Sequence, residues 1–95
     1  MEYKIEFEIT NKNNFLLIET AGHGWLRVEK GLVELVELAT SKKSEGTEKN
    51  NFIYFEEDSE LPKFLKQLNR ATGLFLKKKD FLTITQEKNP IYNDY

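Results

Sequence analysis

The sequence contains no cysteine. That excludes a disulfide framework, a thiolate metal site and a cysteine nucleophile, and it sits naturally with a reducing cytoplasm. It contains one histidine, His23, so a zinc site built from several His or Cys ligands is excluded as well. No metal and no cofactor is expected. No stretch approaches the roughly 18 apolar residues of a membrane-spanning helix, so no membrane partner is expected either. The opening MEYKIEFEIT alternates charged and apolar residues and lacks the apolar centre of a signal peptide. The GxSxG, P-loop and dinucleotide-binding fingerprints are missing, and Gly22-His23-Gly24 is only a GxG. With a net charge of −2 the chain is far too weakly acidic to mimic DNA.

Aromatic residues are plentiful: seven Phe, four Tyr and one Trp in 95 residues. That content supplies one packed core and predicts a single domain, 1–95. Charge is unevenly placed. Residues 1–60 carry 13 acids against 7 bases, and residues 61–95 carry 3 acids against 7 bases. A basic second half keeps nucleic acid among the partners to weigh.

The stretch Leu16–Val28, LLIETAGHGWLRV, is two apolar runs around Ala21-Gly22-His23-Gly24. It predicts a β-hairpin with those four residues at the tip, where the glycines allow positive φ. Glu2 to Ile9 alternates charged and apolar residues, with Tyr3, Ile5, Phe7 and Ile9 on one side, and predicts a strand with one wet face. Phe15–Ile18 is apolar without alternation, which predicts a strand covered on both faces. From Glu29 to Leu38 the apolar positions Leu32, Val33, Leu35, Val36 and Leu38 predict an amphipathic helix.

Residues 40–51 contain no large apolar side chain and predict a flexible surface loop. Phe52–Phe55 predicts a strand ending in the acidic cluster Glu56, Glu57 and Asp58. Asp58 or Ser59 caps a second helix, whose stripe is Leu61, Phe64, Leu65 and Leu68 and whose stop is Gly73. Leu74–Leu76 and Phe81–Thr85 predict a hairpin with Lys77, Lys78 and Lys79 in its turn. The tail, 88–95, is loose unless Ile91 and Tyr92 dock.

The fold class is therefore α+β: a mostly antiparallel sheet of four to six strands with two helices packed on one face. Such an arrangement leaves the other face of the sheet open to a partner.

Candidate functional residues follow from these placements. His23 has the chemistry of a general acid or base if a carboxylate orients it, which makes a small hydrolase or nuclease using His23 with Glu56 or Asp58 one alternative. Glu56, Glu57 and Asp58 carry oxygens suited to Mg²⁺ or Ca²⁺, but neighbours on a strand point to opposite faces, so a solvated helix start is the better reading. Lys77, Lys78 and Lys79 define a second alternative, a nucleic-acid-binding module gripping phosphates. Trp25 and Tyr92 have the character of interface anchors, with His23 and the acidic cluster beside them.

Three patches carry a resemblance: Thr20 to Val28 around His23-Gly24-Trp25-Leu26, then Tyr54-Phe55-Glu56-Glu57-Asp58, then Ile91-Tyr92-Asn93-Asp94-Tyr95. The chain resembles a family of small uncharacterised proteins of phages, plasmids and bacterial accessory regions that share such segments. It departs from their pattern at Glu29, where proline is usual, at Ser59, where cysteine is usual, and in the long hydrophilic loop. The resemblance implies a mobile-element protein in the host cytoplasm and brings no activity with it. Together with small size and missing catalytic motifs, it leads to the expectation of a non-enzymatic binding protein. Such a protein would inhibit or modulate a host protein such as a CRISPR or other defence effector. The anchors expected for that contact are His23, Trp25, Glu56, Glu57, Asp58 and Tyr92.

Overall fold

The computed structural model describes Ile5 and residues 7–91. Its elements run β1 (Phe15–Thr20), β2 (His23–Glu29), α1 (Lys30–Thr40), β3 (Thr47–Lys49), β4 (Phe52–Glu56), α2 (Glu60–Thr72), a short 3₁₀ turn (Lys78–Asp80) and β5 (Thr83–Thr85). The five strands form one sheet in the order β3-β4-β2-β1-β5. All neighbours are antiparallel except β1 and β5. This is the α+β sheet with two helices that the sequence predicts.

Both helices lie on one face for a topological reason. Each connects two strands that run in the same direction: α1 links β2 to β3, and α2 links β4 to β5. The two strand pairs point in opposite senses and cross the sheet in opposite directions. Crossovers of one hand, as chirality requires, then land on the same side. There Phe15 and Leu17 of β1, Leu26 and Val28 of β2 and Phe55 of β4 meet Val33 and Val36 of α1 and Leu61, Phe64 and Leu68 of α2. Phe55 and Phe64 stack with ring centroids 4.1 Å apart.

The β1–β2 turn is tighter than expected. Thr20 pairs with His23, so only Ala21 and Gly22 form the tip, and Gly22 takes φ 89°. His23 and Gly24 belong to β2. Helix α1 begins on the Glu29 carboxylate, which accepts from the Gly31 and Leu32 amides at 3.0 and 3.1 Å. Leu35 and Leu38, expected in the core, lie on the outer side of α1, and Leu38 is 57% exposed.

Three further expectations are corrected. The 40–51 segment contains β3, an edge strand joined to β4 by Asn50-Asn51, both at positive φ (51° and 71°). Two consecutive left-handed residues are what a tight hairpin turn requires, and Asn tolerates them. Residues 74–76 do not pair in a hairpin with 81–85. Instead Leu17 donates to the Leu82 carbonyl at 2.9 Å and β5 runs parallel to β1. The strand expected over Glu2–Ile9 falls partly outside the described residues. Within them Ile5, Phe7 and Ile9 are not in a strand and pack against the helix-side core, with Phe7 edge-on to Phe15 at 5.2 Å. The free edge of β1 is already taken by β5, and the described residues of this segment contribute side chains to the core.

The second face of the sheet is not open. Leu16, Ile18, Trp25 and Tyr54 form a second buried cluster there, with Phe52 and Ile91 packed on it. After β5 the chain doubles back: Gln86 donates to the Glu19 carbonyl, and Lys49 on the far edge donates to the Pro90 carbonyl at 2.8 Å. Residues 86–91 thus cross this face from one edge to the other. Ile91 docks as the sequence allows, and Tyr92 lies outside the described residues.

Among the described residues Gln67 is the one buried polar residue, at 5% exposure. Its amide donates to Thr40 Oγ1 and the Lys42 carbonyl and accepts from Ser44 Oγ, at 2.8–3.0 Å. It ties the start of the 40–51 segment to α2. Gln67→Ala leaves those groups without a partner and is expected to cost about 1–3 kcal/mol, read from urea unfolding. Amide exchange at Thr40–Ser44 is expected to quicken selectively; equal protection in both proteins would contradict the role of Gln67.

Candidate functional site

Of the residues singled out in the sequence, His23, Trp25, Glu56, Glu57 and Asp58 come together at one corner of the sheet. Trp25 pairs with Glu56 across β2 and β4, and His23 lies on the same face of β2. The His23 and Trp25 rings are 5.8 Å apart. Glu57 falls on the opposite side. Its amide donates to the Gly24 carbonyl at 2.8 Å, and its carboxylate meets Lys78 Nζ at 3.4 Å. A Cβ at Gly24 would lie 2.8 Å from Glu57 Oε2, so a larger residue there would push the Glu57 carboxylate aside.

Most of these groups are already engaged in holding the corner. Glu56 accepts from Ser59 Oγ and from the Asp58 and Ser59 amides, closing the turn into α2. Its backbone amide donates to the Glu60 carboxylate at 2.9 Å. The Ser59 hydroxyl is the main cause that holds the Glu56 carboxyl below its ordinary range, followed by the Asp58 amide, with a small contribution from nearby His23. A carboxylate so occupied caps a turn. It does not orient His23, which is itself exposed. Among the described residues, no three His, Cys, Asp or Glu side chains are arranged to hold a metal ion.

Trp25 is 3% exposed and belongs to the second core. As it stands in the fold, it packs the interior and presents no surface to a partner. The three lysines separate as well. Lys77 is extended and precedes the 3₁₀ turn that begins at Lys78; Lys78 turns to Glu57, whereas Lys77 borders a cleft beside α2.

That cleft is the feature missed from the sequence. It has a volume of about 430 Å³ and lies between α2 and the segment that follows Gly73. Leu65, Phe75 and Leu76 supply its apolar walls, and Lys66, Arg70 and Lys77 its rim. Gly73 ends α2 in the left-handed conformation, with its amide on the Asn69 carbonyl. Asn69 Nδ2 then donates to the Leu74 carbonyl at 3.0 Å and draws the chain alongside the helix. Leu76 turns inward against the core, and Phe75 is left 85% exposed. The signal available in the sequence was Leu74-Phe75-Leu76, an apolar run that reads as one strand of a hairpin until its path along α2 is seen.

Ser59→Ala removes the principal cause of the Glu56 shift, so the Glu56 carboxyl, followed by NMR titration, is expected to move up towards the ordinary glutamate range. Because the folded form binds its proton less readily than the unfolded chain, Glu56 stabilises the fold above the ordinary glutamate range. That contribution is lost as pH falls through the lowered value. An unmoved titration in Ser59→Ala would contradict this. Trp25→Ala is expected to lose about 3–5 kcal/mol of stability in urea unfolding, as for a large buried aromatic; a change within about 0.5 kcal/mol would place Trp25 on the surface.

Set beside known proteins, the chain matches no family model, and neither a curated protein nor a solved structure is similar to it.

Proposed function

We propose that this chain is a small non-enzymatic binding protein that docks on a partner protein through the cleft between α2 and residues 73–77. One observation carries the reading: Phe75, 85% exposed, stands beside an apolar cleft of about 430 Å³. A large aromatic held in water next to an unfilled apolar surface contributes little to folding. It is well placed to contribute to association, where a few aromatic and arginine side chains supply most of the energy. Arg70 borders the same cleft.

The His23–Glu56 corner supports catalysis less well, because Glu56 is spent on the turn into α2. The resemblance to proteins of phages and plasmids makes a host protein the partner, with a CRISPR or other defence effector as the first class to test. Inhibition would then be by occlusion: the docked domain covers a surface that the effector needs.

Phe75→Ala removes only exposed surface, so its stability is expected to stay within about 0.5 kcal/mol of wild type. In affinity capture from a bacterial host lysate, wild type and His23→Ala are expected to retain one stoichiometric protein that Phe75→Ala loses. Retention by Phe75→Ala, loss by His23→Ala, or no specific capture by wild type would each count against this surface.

A further inference from the structure

The cleft beside Phe75 does not close at Arg70. Lys66 and Arg70 also border a second depression of about 530 Å³, which continues past Lys63 to Lys42 and Lys43. The two make one trough along the outer side of α2, apolar at one end and cationic at the other. Lys63, Lys66 and Arg70 are three and four residues apart, so they form one stripe of the helix. The buried stripe is Leu61, Phe64 and Leu68.

Six cations line the trough against one carboxylate, Glu45, in a chain whose net charge is −2. Glu45 is paired with Lys63 at 3.1 Å. No salt bridge ties Lys42, Lys43, Lys66, Arg70 or Lys77 to a carboxylate among the described residues. The rest of the molecule is correspondingly acidic. An acidic partner is therefore drawn to this side and repelled elsewhere, which fixes both its approach and its orientation.

We infer that the trough takes an acidic segment of a partner protein that carries an apolar anchor; this rests on the reading of the cleft as a docking surface. The anchor enters between Leu65, Phe75 and Leu76, and the carboxylates beside it meet Lys66 and Arg70, then Lys42 and Lys43. The walls argue against a nucleic acid as the occupant. Leu65, Leu76 and the aliphatic stems of the lysines offer nothing to the polar edges of a base, which would lose their hydrogen bonds to water on entering. Single-strand tracks use successive aromatics for stacking, and here Phe75 is the one aromatic in the lining, beside two leucines, three cations and Asn69, whose Nδ2 is already given to the Leu74 carbonyl.

The test is fluorescence anisotropy with the full chain at low salt and three labelled probes. One is a peptide of mixed Asp and Glu with a central Leu-Phe pair. The second has that pair replaced by Ser-Ser, and the third is oligothymidylate of equal length. The first peptide is expected to bind, at least about tenfold more tightly than either other probe, and less tightly as salt rises. The Lys66→Glu/Arg70→Glu double variant and Phe75→Ala are each expected to weaken it about tenfold or more, with melting temperatures near wild type. Tighter binding of oligothymidylate, equal binding of the anchor-free peptide, undiminished binding by the charge-reversed variant, or no binding of the first peptide would overturn the inference. If lysate capture depends on Phe75 yet survives charge reversal, the docking surface stands and the acidic partner falls. If capture is indifferent to Phe75, the docking surface itself falls.

Discussion

Four consecutive apolar residues, Phe15-Leu16-Leu17-Ile18, set the terms for the whole structure. Successive side chains of a strand point to opposite faces, so this run cannot be buried from one side only. All four are buried. Phe15 and Leu17 require the helical layer, to which α1 contributes Leu32, Val33 and Val36 and α2 contributes Leu61, Phe64 and Leu68. Leu16 and Ile18 require cover on the other face. Trp25 and Tyr54 supply it within the sheet, and Ile91 supplies it from the returning tail. The strap formed by residues 86–91 is thus a consequence of the same run that calls for the helices. Each part alone leaves half of β1 in water.

The sequence was most legible where a signal was local. The β1–β2 hairpin, α1 with its start at Glu29, the Phe52–Phe55 strand, α2 and its stop at Gly73 follow from period and turn residues, whereas Ser59, expected to cap α2, gives its hydroxyl to Glu56 and makes no side-chain cap. Errors of detail at the tip come from His23, which pairs with Thr20 instead of bending. The failures are where a partner distant in sequence decides. Thr47–Lys49 carries no apolar residue because an edge strand of three residues rests on its ladder to β4, although Asn50-Asn51 before an aromatic run is a readable turn. Nothing near Thr83–Thr85 announces that its neighbour is β1 and that the pairing is parallel. With β5 paired to β1, Leu74–Leu76 lies along α2 instead of in the sheet.

The candidate site shows the same division. The residues chosen for their chemistry, His23, Glu56, Glu57 and Asp58, do assemble at one corner, and two of the lysines chosen as a set part company there. Their interactions are inward: Glu56 to Ser59, Glu57 to Lys78, Trp25 into the core. Function-bearing residue types were found, but at a place where the fold consumes them. The cleft beside α2 was hidden because its parts look ordinary in sequence. Leu65 belongs to a core stripe, Lys66 and Arg70 to a wet helical face, and Phe75 to an apparent strand. Only the path of the chain after Gly73 makes them one surface, with apolar walls at one end and unpaired cations at the other.

The most direct measurement is photo-crosslinking in host cells, with a benzoyl-phenylalanine placed at position 75 in one protein and at position 23 in another. Position 75 is expected to crosslink to a single host protein, at a segment rich in Asp and Glu, and position 23 to none. Crosslinking from position 23 with none from position 75 would move the binding surface to the hairpin corner and contradict the assignment of the α2 cleft.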